Sequence, residues 1–244
     1  MTGMTPRVES LKIKVFADGA DIAGIREMYA NPFIKGFTTN PTLMRKAGIS
    51  DYEAFAKDVL RVVPDRPVSF EVFADDFETM ESQALRIASW GANVYVKIPV
   101  TNTKRASAAT LVGRLSRNGV KLNVTAIMSL EQVREITVAL EGTAPAILSV
   151  FAGRVADTGR DPIPMMQDAL LVAAARPGTE LLWASPRELL NIFQADEIGC
   201  HIITVTNDVL KKLALVGKDL AAYSLETVEM FHSDAAKAGY AIRS

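Results

Sequence analysis

The chain has 244 residues, with 27 basic against 28 acidic side chains for a formal net charge of −1, and 49% of its residues are hydrophobic. That balance supplies material for a sizeable core and gives no global attraction to nucleic acid or an anionic membrane, so any phosphate binding is local. The lone Cys200 forms no intramolecular disulfide, and two histidines, His201 and His232, with no CxxC or HExxH, cannot build a multi-histidine zinc site.

Taken in order, short apolar and β-branched runs alternate with stretches of helical spacing. The first predicted strand, Lys12–Ala17, is closed by Asp18 and Gly19; alone, Asp18 reads as an N-cap for the helical stretch that starts near Asp21. The second, Gly36–Thr39, runs into Thr38-Thr39-Asn40-Pro41, polar side chains followed by a proline suited to opening a helix. Ser50–Val62 has apolar positions at three- and four-residue intervals, with Asp51 and Glu53 favourably placed near its start. The strand Val68–Phe73 carries Glu71, and a second amphipathic stretch follows at Asp76–Ser89.

Val94–Pro99 is apolar on both parities except at Lys97, the pattern of a strand covered on both faces. Lys121–Ile127 places Asn123 and Thr125 on one side, and Ala146–Phe151 does the same with Ser149 and Phe151, with Arg154 just beyond. Glu180–Ala184 leads into Ser185-Pro-Arg187, and His201–Val205 is the last strand. A further helical stretch, Leu225–Ala238, stops at Gly239. Pro64, Gly91, Gly119 and Gly142 punctuate the alternation.

Eight βα units in a chain of this length predict an α/β fold, a single (β/α)8 TIM barrel. The rival is a doubly wound open sheet, but no GxGxxG follows the first strand and no GxxxxGK[ST] occurs. No Pro/Gly/Ser-rich linker divides the chain, so residues 1–244 are expected to form one domain, with 225–238 as an extra C-terminal helix that closes the barrel bottom or reaches a neighbouring subunit. The N-terminus lacks an apolar secretory core and no apolar run is long enough for a bilayer. A soluble cytoplasmic protein with neither membrane nor nucleic-acid partners is therefore expected.

Barrel chemistry belongs where strands end. Lys97, inside an apolar strand, must be paired, reach the mouth, or give up its charge to desolvation; an uncharged amine there would be a nucleophile suited to a Schiff base. Each strand-end residue also has a plain explanation. Lys97 could snorkel or pair, Arg154 could pair with Asp157, Ser185 could cap a helix on which Arg187 faces solvent, and Phe151 could be barrel packing. A lysine, two acids, two arginines and several hydroxyls converging on one rim outweigh those explanations taken singly.

The segments Phe37-Thr-Thr-Asn-Pro-Thr42, Val94-Tyr-Val-Lys-Ile-Pro-Val100, Leu122-Asn-Val-Thr125 and Ser149-Val-Phe-Ala-Gly-Arg154 with Asp157 resemble, in matching order from about Lys14 to Val205, the transaldolase family of Schiff-base barrel enzymes. The length resembles its smaller subfamily, which includes fructose 6-phosphate aldolases. The resemblance implies that Lys97 forms the Schiff base with a ketose, that Asp18 is the general acid/base at the C4 hydroxyl, and that Glu71 and Thr125 hold a water for proton relay. It further implies that Thr39, Asn40, Asn123, Ser149 and Phe151 line the donor, that Arg154, Ser185 and Arg187 hold its phosphate, and that the enzyme forms homo-oligomers. No metal and no organic cofactor is implied, because the iminium itself is the electron sink.

Glu71 and Phe151 match the transferase branch, where the aldolase branch has Gln and Tyr; the expected activity is transfer of a dihydroxyacetone unit from a ketose phosphate to an aldose phosphate. The alternatives are aldolase-type release of dihydroxyacetone and a barrel that binds sugar phosphate without turnover. Thr101-Asn-Thr-Lys-Arg105, in place of a Thr-x-Glu-Gly turn, and Pro186 after Ser185 depart from the family pattern.

Overall fold

The structure, a computed structural model, describes residues 7–242. Chain contacts divide it into two units, Lys12–Lys211 and the remaining described residues.

The larger unit is the expected barrel. Its strands are β1 (Lys14–Asp18), β2 (Ile34–Thr38), β3 (Val68–Glu71), β4 (Val94–Pro99), β5 (Leu122–Ile127), β6 (Ala146–Val150), β7 (Thr179–Trp183) and β8 (Ile202–Thr206). They close in sequence order, β8 pairing with β1, and every pairing is parallel. β4 has the bounds expected from its pattern, and all of it but Pro99 is buried, Lys97 included. Elsewhere strand ends move by one or two residues. Thr39 and Phe151, for example, fall outside their strands, because Asn40 and Phe151 are already the cap positions of the following helices.

Phe16, Tyr95, Ile147, Leu182, Ala184 and Ile202 form one buried cluster, with Phe151 packed against it. Gly36 makes room for the Phe16 ring: a Cβ there would lie 2.5 Å from it. Around the strands, Asp21, Asn40, Asp51 and Asp76 each accept a backbone N–H at the first turn of a helix, over Ile22–Ala30, Pro41–Lys46, Tyr52–Val62 and Phe77–Ala88. Such caps contribute about 0.5–2 kcal/mol each. Asp21, not Asp18, caps the first helix, which leaves the Asp18 carboxylate available for other contacts.

In the smaller unit, the C-terminal helix runs over Leu220–Lys237, starting earlier than the Leu225 expected, because Asp219 caps it and the residues that follow are good helix formers. Gly239, at φ +68°, ends it in the left-handed conformation that glycine adopts freely. None of its residues is buried, and Leu220, Tyr223, Val228 and Phe231 are exposed. Among the described residues, no helix is long and apolar enough to cross a membrane, and no three His, Cys, Asp or Glu side chains are grouped to hold a metal ion. His201 instead accepts the Leu181 N–H through Nδ1, and the buried Cys200 thiol, pushed up to about 12 by desolvation, is inert packing.

Candidate active site

At the C-terminal ends of the strands a cavity of about 390 Å3 opens, lined by Asp18, Asn40, Glu71, Lys97, Thr125, Ser149, Phe151, Arg154 and Ser185 among others. Ligand sites of barrels are built at this end, and most residues singled out in the sequence meet there.

Lys97 is only 6% exposed. The pairing of β3 with β4 sets Glu71 opposite Lys97, and Lys97 Nζ lies 3.0 Å from Glu71 Oε2 while donating to the Thr39 carbonyl at 2.9 Å. Taking both charges out of water carries a penalty that such a pair offsets only with good geometry and further hydrogen bonds. Tyr52, which lay unremarked within the amphipathic stretch Ser50–Val62, supplies part of that support. Its hydroxyl accepts the Glu71 N–H at 2.7 Å and donates to the Glu71 carbonyl at 3.1 Å, and burial pushes the phenol above its ordinary pKa.

Asp18, at the end of β1, faces the same cavity. Its Oδ1 accepts the Thr38 hydroxyl at 2.7 Å, and its Oδ2 accepts Asn40 Nδ2 at 3.3 Å. Asn40 thus works at both ends, since its Oδ1 also accepts the Leu43 N–H as a helix cap. Burial raises the Asp18 pKa above the usual carboxylate value; the Lys97 charge and the bonds from Thr38 and Asn40 pull against that rise, and the Glu71 charge adds to it. Thr38, in turn, meets the Thr204 hydroxyl of β8 within hydrogen-bond reach, and both line the cavity. Thr38 was noted in the sequence only as one of the polar side chains ending its strand, without a role, and Thr204 was not a candidate, because a threonine in a β-branched strand gives no signal of its own.

Thr125 is buried on β5, and its hydroxyl has no hydrogen-bond partner among the described residues. The next residue, Ala126, lies at φ +61° where β5 slips register against β6, and Ser185 lies at φ +59°. Both are strained non-glycine positions in the cavity wall, each costing about 1–3 kcal/mol. The Ser185 backbone also sits so close to the next wall segment that a Cβ on Gly153 would fall 1.6 Å from its carbonyl oxygen. Arg154 follows Gly153 into the cavity. It has no ion pair among the described residues, and its guanidinium lies 5.7 Å from the Phe151 ring centre.

Three candidates stand outside the cavity wall. Thr39 is buried beneath it, its hydroxyl donating to the Ser69 carbonyl at 3.1 Å, so only its own carbonyl reaches the site, through Lys97. Asn123 is fully buried, donating to Ser69 Oγ at 3.0 Å and accepting from Ser149 Oγ at 2.6 Å, so its amide ties two neighbouring side chains together. Arg187 is an exposed residue whose guanidinium forks onto Asp157, with Nε to Oδ1 at 2.9 Å and Nη2 to Oδ2. The Asp157 pairing considered for Arg154 falls to Arg187, which holds the Asp157 carboxyl below its usual value.

Solved barrels of other chemistry share the fold alone: KGPDC from Streptococcus mutans superposes with a TM-score of 0.56 at 9% identity, covering 86% of this chain and 95% of that one. A mandelate oxidase mutant gives a TM-score of 0.54 at 14% identity, covering 85% of this chain and 71% of that one. Among curated sequences, a probable transaldolase of Dehalococcoides mccartyi is 35% identical over 202 residues, 82% of this chain and 90% of its own length. One from a Thermoanaerobacter species is 34% identical over 231 residues, 94% of this chain and all of its own. Residues 15–242 match the family described as transaldolase/fructose-6-phosphate aldolase. With a lysine and two carboxylates around the mouth of a closed parallel barrel and that match over nearly its whole length, the chain belongs to the transaldolase/fructose-6-phosphate aldolase family.

Proposed function

We propose that this protein is a transaldolase that moves a three-carbon dihydroxyacetone unit from a ketose phosphate, such as sedoheptulose 7-phosphate or fructose 6-phosphate, to an aldose phosphate through a Schiff base on Lys97. The observation that carries this reading is the meeting of Lys97 Nζ, Glu71 and Asp18 around one cavity.

Glu71, 3.0 Å from Nζ, takes the proton that Lys97 must lose before it attacks the C2 carbonyl. The carbinolamine then loses its C2 oxygen as water, which Glu71 and the Thr125 hydroxyl are placed to hold. Asp18 removes the proton of the C4 hydroxyl, the C3–C4 bond breaks, and its electron pair passes into the iminium to give an enamine. The aldehyde leaves, an acceptor aldose enters, and the same steps reverse. Asn40 and Ser149 hydrogen-bond donor hydroxyls. Arg154 and Ser185 hold the phosphate, Arg154 by a charge-assisted bond from a guanidinium that has no ion pair among the described residues. Protonation of the enamine at C3, then water addition at C2 of the resulting iminium with the Lys97 amine as leaving group, would release dihydroxyacetone instead, the aldolase outcome. Phe151 supports transfer, because its ring offers water no hydrogen bond beside the intermediate.

The test is a donor–acceptor product screen by mass spectrometry on the wild type and Phe151→Tyr. Seven- and six-carbon donors with erythrose 4-phosphate or glyceraldehyde 3-phosphate should give exchanged sugars, and the tyrosine variant should release more free dihydroxyacetone. A wild type that splits fructose 6-phosphate equally fast without acceptor is an aldolase, not a transferase. We also propose self-association through the C-terminal helix, supported by its exposed Leu220, Tyr223, Val228 and Phe231; a monomer in sedimentation at micromolar concentration would refute it.

A further inference from the structure

We infer that Thr204 is a positioning residue for proton transfer, acting through Thr38 on the Asp18 carboxylate. The inference rests on the reading of Asp18 as the proton-transfer group. β1 lies between β2 and β8. Thr38 stands opposite Asp18 on β2, whereas Thr204 stands opposite Phe16 on β8, one inward-facing layer lower. The stagger of the barrel brings the two hydroxyls together across the inner face of β1. Gly36 pairs with Phe16 in that lower layer, the glycine allowing the ring to lie where a side chain would otherwise stand.

The direction of the chain follows from counting protons. A threonine hydroxyl has one hydrogen to give and two lone pairs to receive. Thr38 spends its hydrogen on Asp18 Oδ1, so in the contact between the threonines Thr204 must be the donor. The relay therefore runs from Thr204 to Thr38 to the carboxylate, and it is satisfied in that sense only while Oδ1 is an acceptor. Consecutive hydrogen bonds polarise one another, strengthening each by about 10–30%, so Thr204 reinforces the bond that favours ionised Asp18. It also locks the Thr38 rotor, and with Asn40 on Oδ2 this leaves the carboxylate a single orientation.

The other charges facing Asp18 are on separate elements. Lys97 of β4 favours its ionised form and Glu71 of β3 opposes it. Arg154 lines the cavity with it, and Asp21, Lys46 and Asp208 line a neighbouring cavity that Asp18 also borders. Thr204 Oγ1 meets Thr38 Oγ1, and Thr38 Oγ1 bonds Asp18 Oδ1, so a substitution at Thr204 reaches Asp18 through Thr38.

The experiment compares Thr204→Val, which keeps the branched shape and removes the hydroxyl, with Thr204→Ser, which keeps the hydroxyl, using carbon NMR titration of the Asp18 carboxyl and the pH dependence of kcat/KM. Thr204→Val should move the carboxyl titration and the acid limb upward together by about half a pH unit, and lower kcat about three- to tenfold with KM nearly unchanged. Thr204→Ser should restore both. An Asp18 titration unmoved in a folded Thr204→Val, or a kcat loss that serine does not rescue, overturns the inference. Asp18→Asn separates it from its premise: if that variant keeps wild-type turnover, the proton-transfer role of Asp18 fails, and this inference with it.

Discussion

Two ion pairs at the barrel mouth have the same composition, a cation and a carboxylate, and opposite settings. The Lys97–Glu71 side chains are 8% and 19% exposed, whereas those of Arg187 and Asp157 are 47% and 51% exposed. An exposed pair is screened and typically contributes no more than about 1 kcal/mol. The inner pair carries a desolvation penalty, and apolar side chains could replace it without loss of stability. A fold that retains it has another use for it, and in our proposal that use is imine chemistry. The comparison also divides the two arginines: Arg187 is forked onto Asp157, while Arg154 lines the cavity with no ion pair among the described residues.

The largest effect should come from the inner pair. Lys97→Met is expected to abolish transfer and the covalent adduct that borohydride traps with fructose 6-phosphate, read by intact-protein mass spectrometry. The double variant Lys97→Met/Glu71→Leu should be equally inactive and at least as heat-stable as the wild type, because it removes both charges from the buried site. A double variant that unfolds would assign the pair a structural purpose and undo the comparison.

Asp18→Asn should lower kcat by about 100- to 10,000-fold, the range of a lost general acid/base. It should also stabilise the protein in a pH-dependent way. The Asp18 pKa is raised in the fold, so the native state holds the proton more tightly than the unfolded chain. Stability is therefore unaffected below the ordinary aspartate pKa and falls as pH rises through the higher native value. The asparagine variant lacks this loss, so its advantage in Tm should grow with pH across that window and then level off. An advantage that shrinks as pH rises would reverse the sign.

Arg154→Gln should raise KM for phosphorylated sugars about 10- to 100-fold, as expected for a charge-assisted bond of roughly 1.5–3 kcal/mol, with little effect on unphosphorylated ones. The smallest effect belongs to Arg187→Gln: a KM change of about threefold or less and stability within about 0.5 kcal/mol, measured by steady-state kinetics and urea melts. Equal effects at the two arginines would mean that Arg187 leaves Asp157 when substrate binds.

Much of this site was legible because chemistry-bearing residues broke an apolar pattern. A lysine within Val94–Pro99 and a glutamate within Val68–Glu71 are conspicuous where burial penalises charge. Asn123 broke its pattern equally, yet the fold uses its amide to tie Ser69 to Ser149 below the cavity, a placement that a two-residue periodicity cannot distinguish from one in the wall. Thr204 and Tyr52 broke no pattern, because a hydroxyl-bearing residue of good β propensity and an aromatic in an amphipathic helix read as ordinary packing.

The order of apolar runs and turns by itself determined a closed parallel barrel and the strand end from which each candidate projects, since periodicity and alternation are local properties of the chain. Which candidates share a cavity was decided by strand register and barrel stagger, which bring Glu71 to Lys97 and Thr204 to Thr38 across many residues of sequence. The partner of each charge was a tertiary decision as well: the sequence offered Asp157 to Arg154, three residues away, whereas the fold pairs it with Arg187 and leaves Arg154 lining the cavity.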